Sequence, residues 1–375
     1  MTGFQLPLRP ELRGQQPYGA PQLDVPVQLN VNENPYPPPA AVVAAIGQAV
    51  TAAAAGLNRY PDRECRALRA DLARYLNTDA AVRLTAEQLW PANGSNEIMQ
   101  QLLQAFGGPG RTAVSFTPTY SMYPEYARNT HTGWLTGPRN PDFGIDLAAA
   151  AELIGRVRPE LIVLASPNNP TGTALPVADL RRLLELAPGL VVVDEAYAEF
   201  RRPGVPSALE LLAEHPQLVV TRTMSKAFAF AGGRLGYLAA SSAVVDAVRI
   251  VRLPYHLSAL SQASARAALA HSAELLAGVE ALRTERDATV TWLRECGLQV
   301  ADSDANFVLF GSFTDRHGIW QGLLDRGVLI RETGPDGWLR VSIGTPAEMQ
   351  AFRQALQDVL GSPVSAGRPA EQADS

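Results

Sequence analysis

The chain is almost devoid of lysine. Of its 32 Lys and Arg residues only Lys226 is a lysine. Arginine replaces lysine wherever a fixed positive charge is enough, but its guanidinium does not deprotonate in proteins and cannot condense with a carbonyl. A lone amine in an arginine-rich chain therefore points to amine chemistry, a Schiff base foremost. Composition alone equally allows that coding bias spared one residue by chance. Cysteine is scarce too: Cys65 and Cys296 stand far apart and make neither a disulfide framework nor a metal site. The five histidines, His131, His215, His256, His271 and His317, show no metal-ligand spacing. Basic charge is not in excess. The 37 acidic residues leave a net charge of −5, which offers no field for nucleic acid or an anionic membrane. There is no run of about 18 apolar residues and no secretory leader pattern, so a cytoplasmic protein without a membrane span is expected. Neither G-x-x-x-x-G-K-[ST] nor G-x-G-x-x-G occurs, which removes a simple ATP- or NAD-binding loop.

What is present is enough apolar residue (46%) in 375 residues to bury a large core in two or three domains. Residues 1–39, rich in Pro, Gln and Gly, read as an arm lying over something else. Helical patterning starts after Pro37-Pro38-Pro39 with 40–55, and 63–76 is a second amphipathic segment with Leu68, Leu72 and Leu76 four apart. Short apolar runs follow at 112–116, 161–165, 190–193, 218–221 and 235–239, with helix-like stretches such as 95–106 and 177–186 between them. Apolar runs separated by helices predict a largely parallel sheet in an α/β layer architecture, with ligands collecting at the carboxyl ends of the strands. From residue 258 the pattern changes to two long helices (258–277 and 279–295), then short strands at 306–310, 328–330 and 338–343 interleaved with helices at 318–326 and up to residue 360. This predicts a smaller α+β domain over 258–361 beside a large domain over 40–257, with a disordered tail at 362–375.

Four segments carry chemistry, each at a predicted strand end or helix start. Lys226 follows Thr223-Met224-Ser225, with Arg234 eight positions on: two hydroxyls, an amine and a guanidinium that could surround a phosphate-bearing aldehyde. Asp194 ends the apolar run Val191-Val192-Val193, where a carboxylate is costly without a cationic partner; a pyridinium N–H would be one, and Tyr197 could bind the ring's phenolic oxygen. Taken alone, Asp194 reads equally as a helix cap. Asn169, in Ser166-Pro167-Asn168-Asn169-Pro170-Thr171-Gly172, presents a neutral amide on a rigid turn, though an isolated Asn-Pro turn needs no ligand. Asn93-Gly94-Ser95-Asn96-Glu97 opens a helix whose free N–H groups suit an anion, with Ser95 and Asn96 as contacts, or simply caps it. Chance explanations would need four coincidences in the right chain order.

Asn169-Pro-Thr-Gly, Asp194-x-x-Tyr197, Ser225-Lys226 and Arg234 resemble the fold-type I, pyridoxal-phosphate-dependent aminotransferase family over roughly residues 25–350. Within that family, Leu29-Asn30-Val31-Asn32-Glu33-Asn34-Pro35-Tyr36, Asn58-Arg59-Tyr60-Pro61-Asp62, Thr117-Pro118-Thr119-Tyr120, the run from Lys226 to Tyr237 and Leu253-Pro254-Tyr255-His256-Leu257-Ser258 look like the histidinol-phosphate aminotransferases. The resemblance implies a large α/β domain with a mostly parallel central sheet plus a smaller α+β domain, in a homodimer. It implies that Lys226 links covalently to the cofactor aldehyde and then shuttles the proton. Asp194 would pair with the pyridine nitrogen, Tyr197 and Asn169 would contact the ring oxygen, and Tyr120 would stack on the ring. Ser95, Asn96, Thr223, Ser225 and Arg234 would bind the phosphate, with Tyr60 reaching it from the partner subunit. Arg331 and Arg340 match the substrate-anion arginines, while Tyr18 and Asn32 would line the substrate pocket. The implied reaction moves an amino group between histidinol phosphate and 2-oxoglutarate. A threonine-phosphate decarboxylase-like lyase and an aromatic amino acid aminotransferase would share the same cofactor residues. The loop over 332–337 is not placed by its sequence.

Overall fold

A computed structural model describes residues 6–80 and 82–361. A seven-stranded sheet forms its centre, in the order Leu89–Ala92, Gly236–Ala240, Leu218–Thr223, Leu190–Asp194, Leu161–Ala165, Thr112–Thr117 and Gly133–Pro138. Six of these strands run the same way, and Gly236–Ala240 is antiparallel to both of its neighbours. The expected largely parallel α/β sheet is thus the observed one. Each of the five predicted apolar runs is a strand, within two residues at either end.

The reason these segments read as unbroken apolar runs is visible in the packing. Successive side chains of a strand point to opposite faces, and here both faces are covered. Val191 and Val193 enter one hydrophobic core, while Val192 enters the other. Helices Ser95–Phe106 and Ser242–Val251 supply the second core with Ile98, Met99, Leu102, Val244 and Val248. Helices Arg66–Asp79 and Val177–Leu186 supply the first with Leu68, Leu72, Leu76, Leu180 and Leu183.

A second sheet, antiparallel throughout, joins Arg331–Glu332, Trp338–Ser342, Phe307–Gly311 and Gln299–Val300. Helices Val279–Glu295, Arg316–Asp325 and Pro346–Gly361 lie in the same part of the chain. Near the N-terminus Val27–Gln28 pairs in parallel with Val328–Leu329, which ties the two ends of the chain together.

Several boundaries differ from the sequence reading. The second helix starts at Arg66 rather than at 63, because Cys65 sits at φ +49° and the Asp62 carboxylate takes the N–H groups of Glu64 and Arg66 at 3.0 and 2.9 Å. The stretch 258–277 is two helices, Ala259–Ala270 and Ser272–Leu276, broken at His271, whose ψ of 27° is not helical. Strands Leu89–Ala92 and Gly133–Pro138 form the two sheet edges and escape periodicity. The first contains Pro91, tolerated at an edge, and the second is largely exposed. The expected tail at 362–375 lies outside the described residues.

Candidate active site

The six like-directed strands end at one edge of the sheet, and the segments after Ala92, Thr117, Ala165, Asp194 and Thr223 reach the cavity there. Because Gly236–Ala240 runs the other way, its beginning falls on the same edge, and Arg234 just before it arrives with the rest. Ser95, Asn96, Tyr120, Asn169, Asp194, Tyr197, Thr223, Ser225, Lys226 and Arg234 therefore surround one cavity of about 270 Å³. The N-terminal segment adds Tyr18 and Asn32, and the antiparallel sheet adds Arg331 and Arg340. Tyr60 is elsewhere: it is 79% exposed, with its ring stacked on Tyr255 at 4.3 Å between centroids.

Asp194 is buried at the last position of its strand. Thr221, its register partner on the next strand, donates to Oδ1 at 3.0 Å, and the Tyr123 phenol donates to Oδ2 at 3.0 Å. Burial pushes the carboxyl above its usual range, while the two hydroxyls pull it back down. It forms no ion pair with any described residue. A buried acceptor of this kind, facing a cavity, suits a ligand that brings a cationic N–H.

Lys226 donates from Nζ to the Val31 carbonyl at 2.9 Å. Burial, then the charges of Arg340 and Arg234, lower its pKa to about 8. An ammonium so destabilised leaves a usable fraction of free amine near neutral pH, the form that attacks carbonyls and accepts protons.

Arg234 stands over the N-terminus of helix Ser95–Phe106, a helix of 12 residues. A Cβ at Gly94 would lie 2.7 Å from Arg234 Nη2 and push the guanidinium aside, and the backbone there, at φ +84°, already favours glycine. Arg234 donates to Ser225 Oγ at 3.4 Å, and Ser225 Oγ also accepts from Thr223 Oγ1 at 3.0 Å. Guanidinium, hydroxyls and helix-end N–H groups together make a phosphate-sized anion nest. This donor set, with Lys226 and Asp194, fits a phosphorylated pyridine aldehyde.

Arg331 and Arg340 are direct cross-strand partners, and the unplaced 332–337 segment belongs to the hairpin between them, turning at Gly334 and Gly337 (φ +95° and +83°). Arg340 donates to Asn169 Oδ1 at 2.6 Å and to the Asn30 carbonyl at 2.8 Å, while its buried Nε has no partner among the described residues. Burial lowers its pKa to about 10, so it remains cationic. Arg331 makes one long contact, 3.5 Å to the Gly19 carbonyl. Neither arginine is paired with a carboxylate among the described residues. Four cationic side chains, Lys226, Arg234, Arg331 and Arg340, thus face the single carboxylate of Asp194.

Residues 25–356 match the family Aminotransferase class I and II. The chain belongs to that family. Among curated aminotransferases, it is 63% identical over 355 residues to histidinol-phosphate aminotransferase 3 of Burkholderia lata, covering 95% of this chain and 96% of that one. It is 60% identical over 363 residues to the histidinol-phosphate aminotransferase of Thermobifida fusca, covering 96% and 98%. Among solved structures, the Sinorhizobium meliloti histidinol-phosphate aminotransferase in complex with pyridoxal-5'-phosphate superposes with a TM-score of 0.84 at 25% identity, over 96% of this chain and 99% of that one. The fold of this aminotransferase is therefore fold-type I.

Three residues of the aminotransferase site were not found from the sequence. Tyr123 and Thr221 grip Asp194, and Ser342 binds Asn32. None lies in a local motif. Thr221 reaches its partner through sheet register, Tyr123 from a distant helix and Ser342 from a strand far along the chain, none of which single-sequence patterns carry. Among the described residues no group of three or more His, Cys, Asp or Glu could hold a metal ion, and no helix is long and apolar enough to cross a membrane.

Proposed function

We propose that this aminotransferase transfers the amino group of histidinol phosphate to 2-oxoglutarate, giving imidazole-acetol phosphate and glutamate in histidine biosynthesis, with pyridoxal phosphate as its cofactor. The observation that carries the reading is the cavity's charge: among the described residues, three guanidiniums without carboxylate partners and one amine stand against Asp194 alone. A phosphorylated cofactor, a phosphorylated amine and a dicarboxylate are all anions that such a cavity attracts. The names of relatives at 63% and 60% identity support the choice of substrate.

Pyridoxal phosphate, when bound, supplies an electron sink for the pair left behind as the amine-bearing carbon loses its proton. Ser95, Asn96, Thr223, Ser225 and Arg234 would hold its phosphate, Asp194 its ring N–H, Tyr197 and Asn169 its ring oxygen, and Tyr120 its face. Asn169 Oδ1 is already taken by Arg340, which leaves its Nδ2 as the donor. Lys226 Nζ, with its lowered pKa, would take the proton from the substrate carbon and return it to the cofactor's aldehyde carbon, on the far side of the shared nitrogen. Arg331 and Arg340, the latter with Nε free, would bind the substrate phosphate in one half-reaction and a carboxylate in the other. Tyr18 and Asn32 would close the substrate side.

The same reading takes the enzyme as a cytoplasmic homodimer, with Tyr60 reaching the partner's phosphate site. It divides the chain into an arm to residue 39, a large domain over 40–257 and a small domain over 258–361; the separate seven- and four-stranded sheets support the split between the large and small domains. The test is a spectrum of the reconstituted protein. Stepwise histidinol phosphate should bleach the visible cofactor band, and 2-oxoglutarate should restore it. A band that histidinol phosphate leaves unchanged, or carbon dioxide release from phosphothreonine without amino transfer, overturns the reading.

A further inference from the structure

The hydrogen bonds behind Tyr197 determine which way its hydroxyl points. Ser342 Oγ accepts the backbone N–H of Asn32 at 2.9 Å and donates its own proton to Asn32 Oδ1 at 2.8 Å. With Oδ1 occupied, the Asn32 amide turns Nδ2 toward Tyr197 and donates to the phenol oxygen at 3.0 Å. The opposite amide orientation would make Ser342 Oγ accept twice and leave its proton with no acceptor. Ser342, Asn32 and Tyr197 are all buried, at 3%, 2% and 6% exposure, where an unmade hydrogen bond is costly. Nor is the Asn32 backbone free to shift, since it sits at φ +56° with its carbonyl accepting from Asn306 Nδ2 at 3.1 Å. Tyr197 is thus bound from behind as an acceptor. Its proton has no acceptor among the described residues, and its side chain lines the cavity.

We infer that Ser342 is a positioning residue for amino transfer: acting through the Asn32 amide, it makes Tyr197 a hydrogen-bond donor toward the cavity. The inference rests on the reading that the cavity holds pyridoxal phosphate linked to Lys226, with the ring oxygen facing Tyr197. A hydrogen bond donated to an oxygen stabilises its more negative state. At the ring oxygen this favours the form in which the nitrogen shared with Lys226 has lost its proton. Donation by Tyr197 therefore lowers the pH at which the bound chromophore titrates, and loss of donation raises it.

The experiment is an absorbance titration of the protein reconstituted with pyridoxal phosphate, comparing wild type with Ser342→Ala, Ser342→Thr and Asn32→Asp. Without the Ser342 hydroxyl the amide is free to turn Oδ1 to Tyr197 and take its proton, and the midpoint moves up by about 0.5–1 pH unit. Ser342→Thr keeps the hydroxyl and titrates with wild type. A merely structural Ser342 would change the melting temperature and cofactor affinity but not the midpoint, and an unmoved midpoint in Ser342→Ala overturns the inference. Should Ser342→Ala fail to fold, Asn32→Asp decides. Its nearly isosteric carboxylate only accepts, but its charge alone also raises the midpoint, so an upward shift larger with Tyr197 present than in Tyr197→Phe supports the relay, and equal shifts overturn it. Wild-type protein that develops no visible band at all overturns the cofactor reading itself, and the relay with it.

Discussion

The phenol of Tyr123 donates to Oδ2 of Asp194 across 71 residues of sequence, while Thr221 holds Oδ1 from the adjacent strand. Both bonds oppose the effect of burial, which raises the Asp194 pKa. Only the ionised carboxylate can receive a cationic ring N–H, so cofactor affinity should fall as pH drops through the Asp194 pKa. Tyr123→Phe removes one of the bonds that lower that pKa. The fall in affinity should then begin at a higher pH, by about 0.5–1 unit for the weight of one hydrogen bond. Titration of the apoprotein with pyridoxal phosphate at a series of pH values measures it, and curves that coincide would remove Tyr123 from the site.

The second prediction concerns Lys226. Its pKa is lowered to about 8, so the free amine decreases about tenfold per pH unit below that value and saturates above it. The rate at which apoprotein condenses with pyridoxal phosphate should follow the same curve, read by stopped-flow absorbance. Arg340 is the largest charge acting on Lys226 after burial. Arg340→Gln should therefore move the curve to higher pH. Lys226→Arg should show no condensation and no turnover, since a guanidinium cannot form the link. Turnover in that variant would end the proposed mechanism.

Residues whose place at the cavity depends on local sequence were legible, and those whose place depends on register were not. Lys226, Asp194, Asn169, Tyr197 and Arg234 each sit beside a strand end, and a buried parallel strand announces itself as an apolar run. Knowing where the strands end is enough to bring these residues to one edge. The grip of Thr221 on Asp194 requires knowing that their strands are neighbours in this register. The pairing of Arg331 with Arg340 requires seeing a hairpin in a segment rich in Gly and Pro. The two edge strands were missed for different reasons: Gly133–Pro138 is largely exposed and carries little of the apolar signature, while Leu89–Ala92 is buried but only four residues long and interrupted by Pro91.

Arg331 separates binding from folding. Its one side-chain hydrogen bond among the described residues is long, 3.5 Å to the Gly19 carbonyl, so Arg331→Gln should leave the melting temperature nearly unchanged. A charge-assisted contact to a substrate anion is worth about 1.5–3 kcal/mol, and the variant should lose roughly 10- to 100-fold in kcat/KM. Arg340→Gln should lose both activity and stability, because Arg340 also holds Asn169 and the Asn30 carbonyl. Equal stability loss in the two variants would count against the division.

Beneath the site, Arg222 is 1% exposed and serves three carboxylates: Asp79 at 2.7 Å, Glu195 at 2.9 Å and Glu199 at 3.4 Å. Arg222→Met leaves Glu195 and Glu199 buried without this cation and should cost on the order of 3–5 kcal/mol. The pH dependence has a definite sign. Burial already raises the Glu199 pKa, and loss of Arg222, the main opposing charge, raises it further. A carboxyl with a raised folded pKa stabilises the fold at low pH, and that stability is lost as pH rises. The gap between variant and wild type should therefore be wide at pH 8 and narrow toward pH 5 in thermal melts of the apoprotein. A gap independent of pH would mean that packing, not charge, explains the loss.

Tyr60 provides a test of assembly that needs no structure of the dimer. It is exposed, stacked on Tyr255, and absent from the cavity of its own chain, so its proposed contact with the cofactor phosphate must be made in the partner's site. Consider one chain carrying Lys226→Ala and another carrying Tyr60→Ala. Alone, the first gives a dimer with no linking amine and the second a dimer with weakened phosphate binding. In a mixed dimer, the site built on the second chain keeps its own Lys226 and receives an intact Tyr60 from the first. That site is complete. Coexpression should therefore restore wild-type cofactor affinity to one of the two sites in each mixed dimer. If Tyr60 acted within its own chain, or only on folding, mixing would restore nothing, and light scattering showing a monomer would remove the shared site altogether.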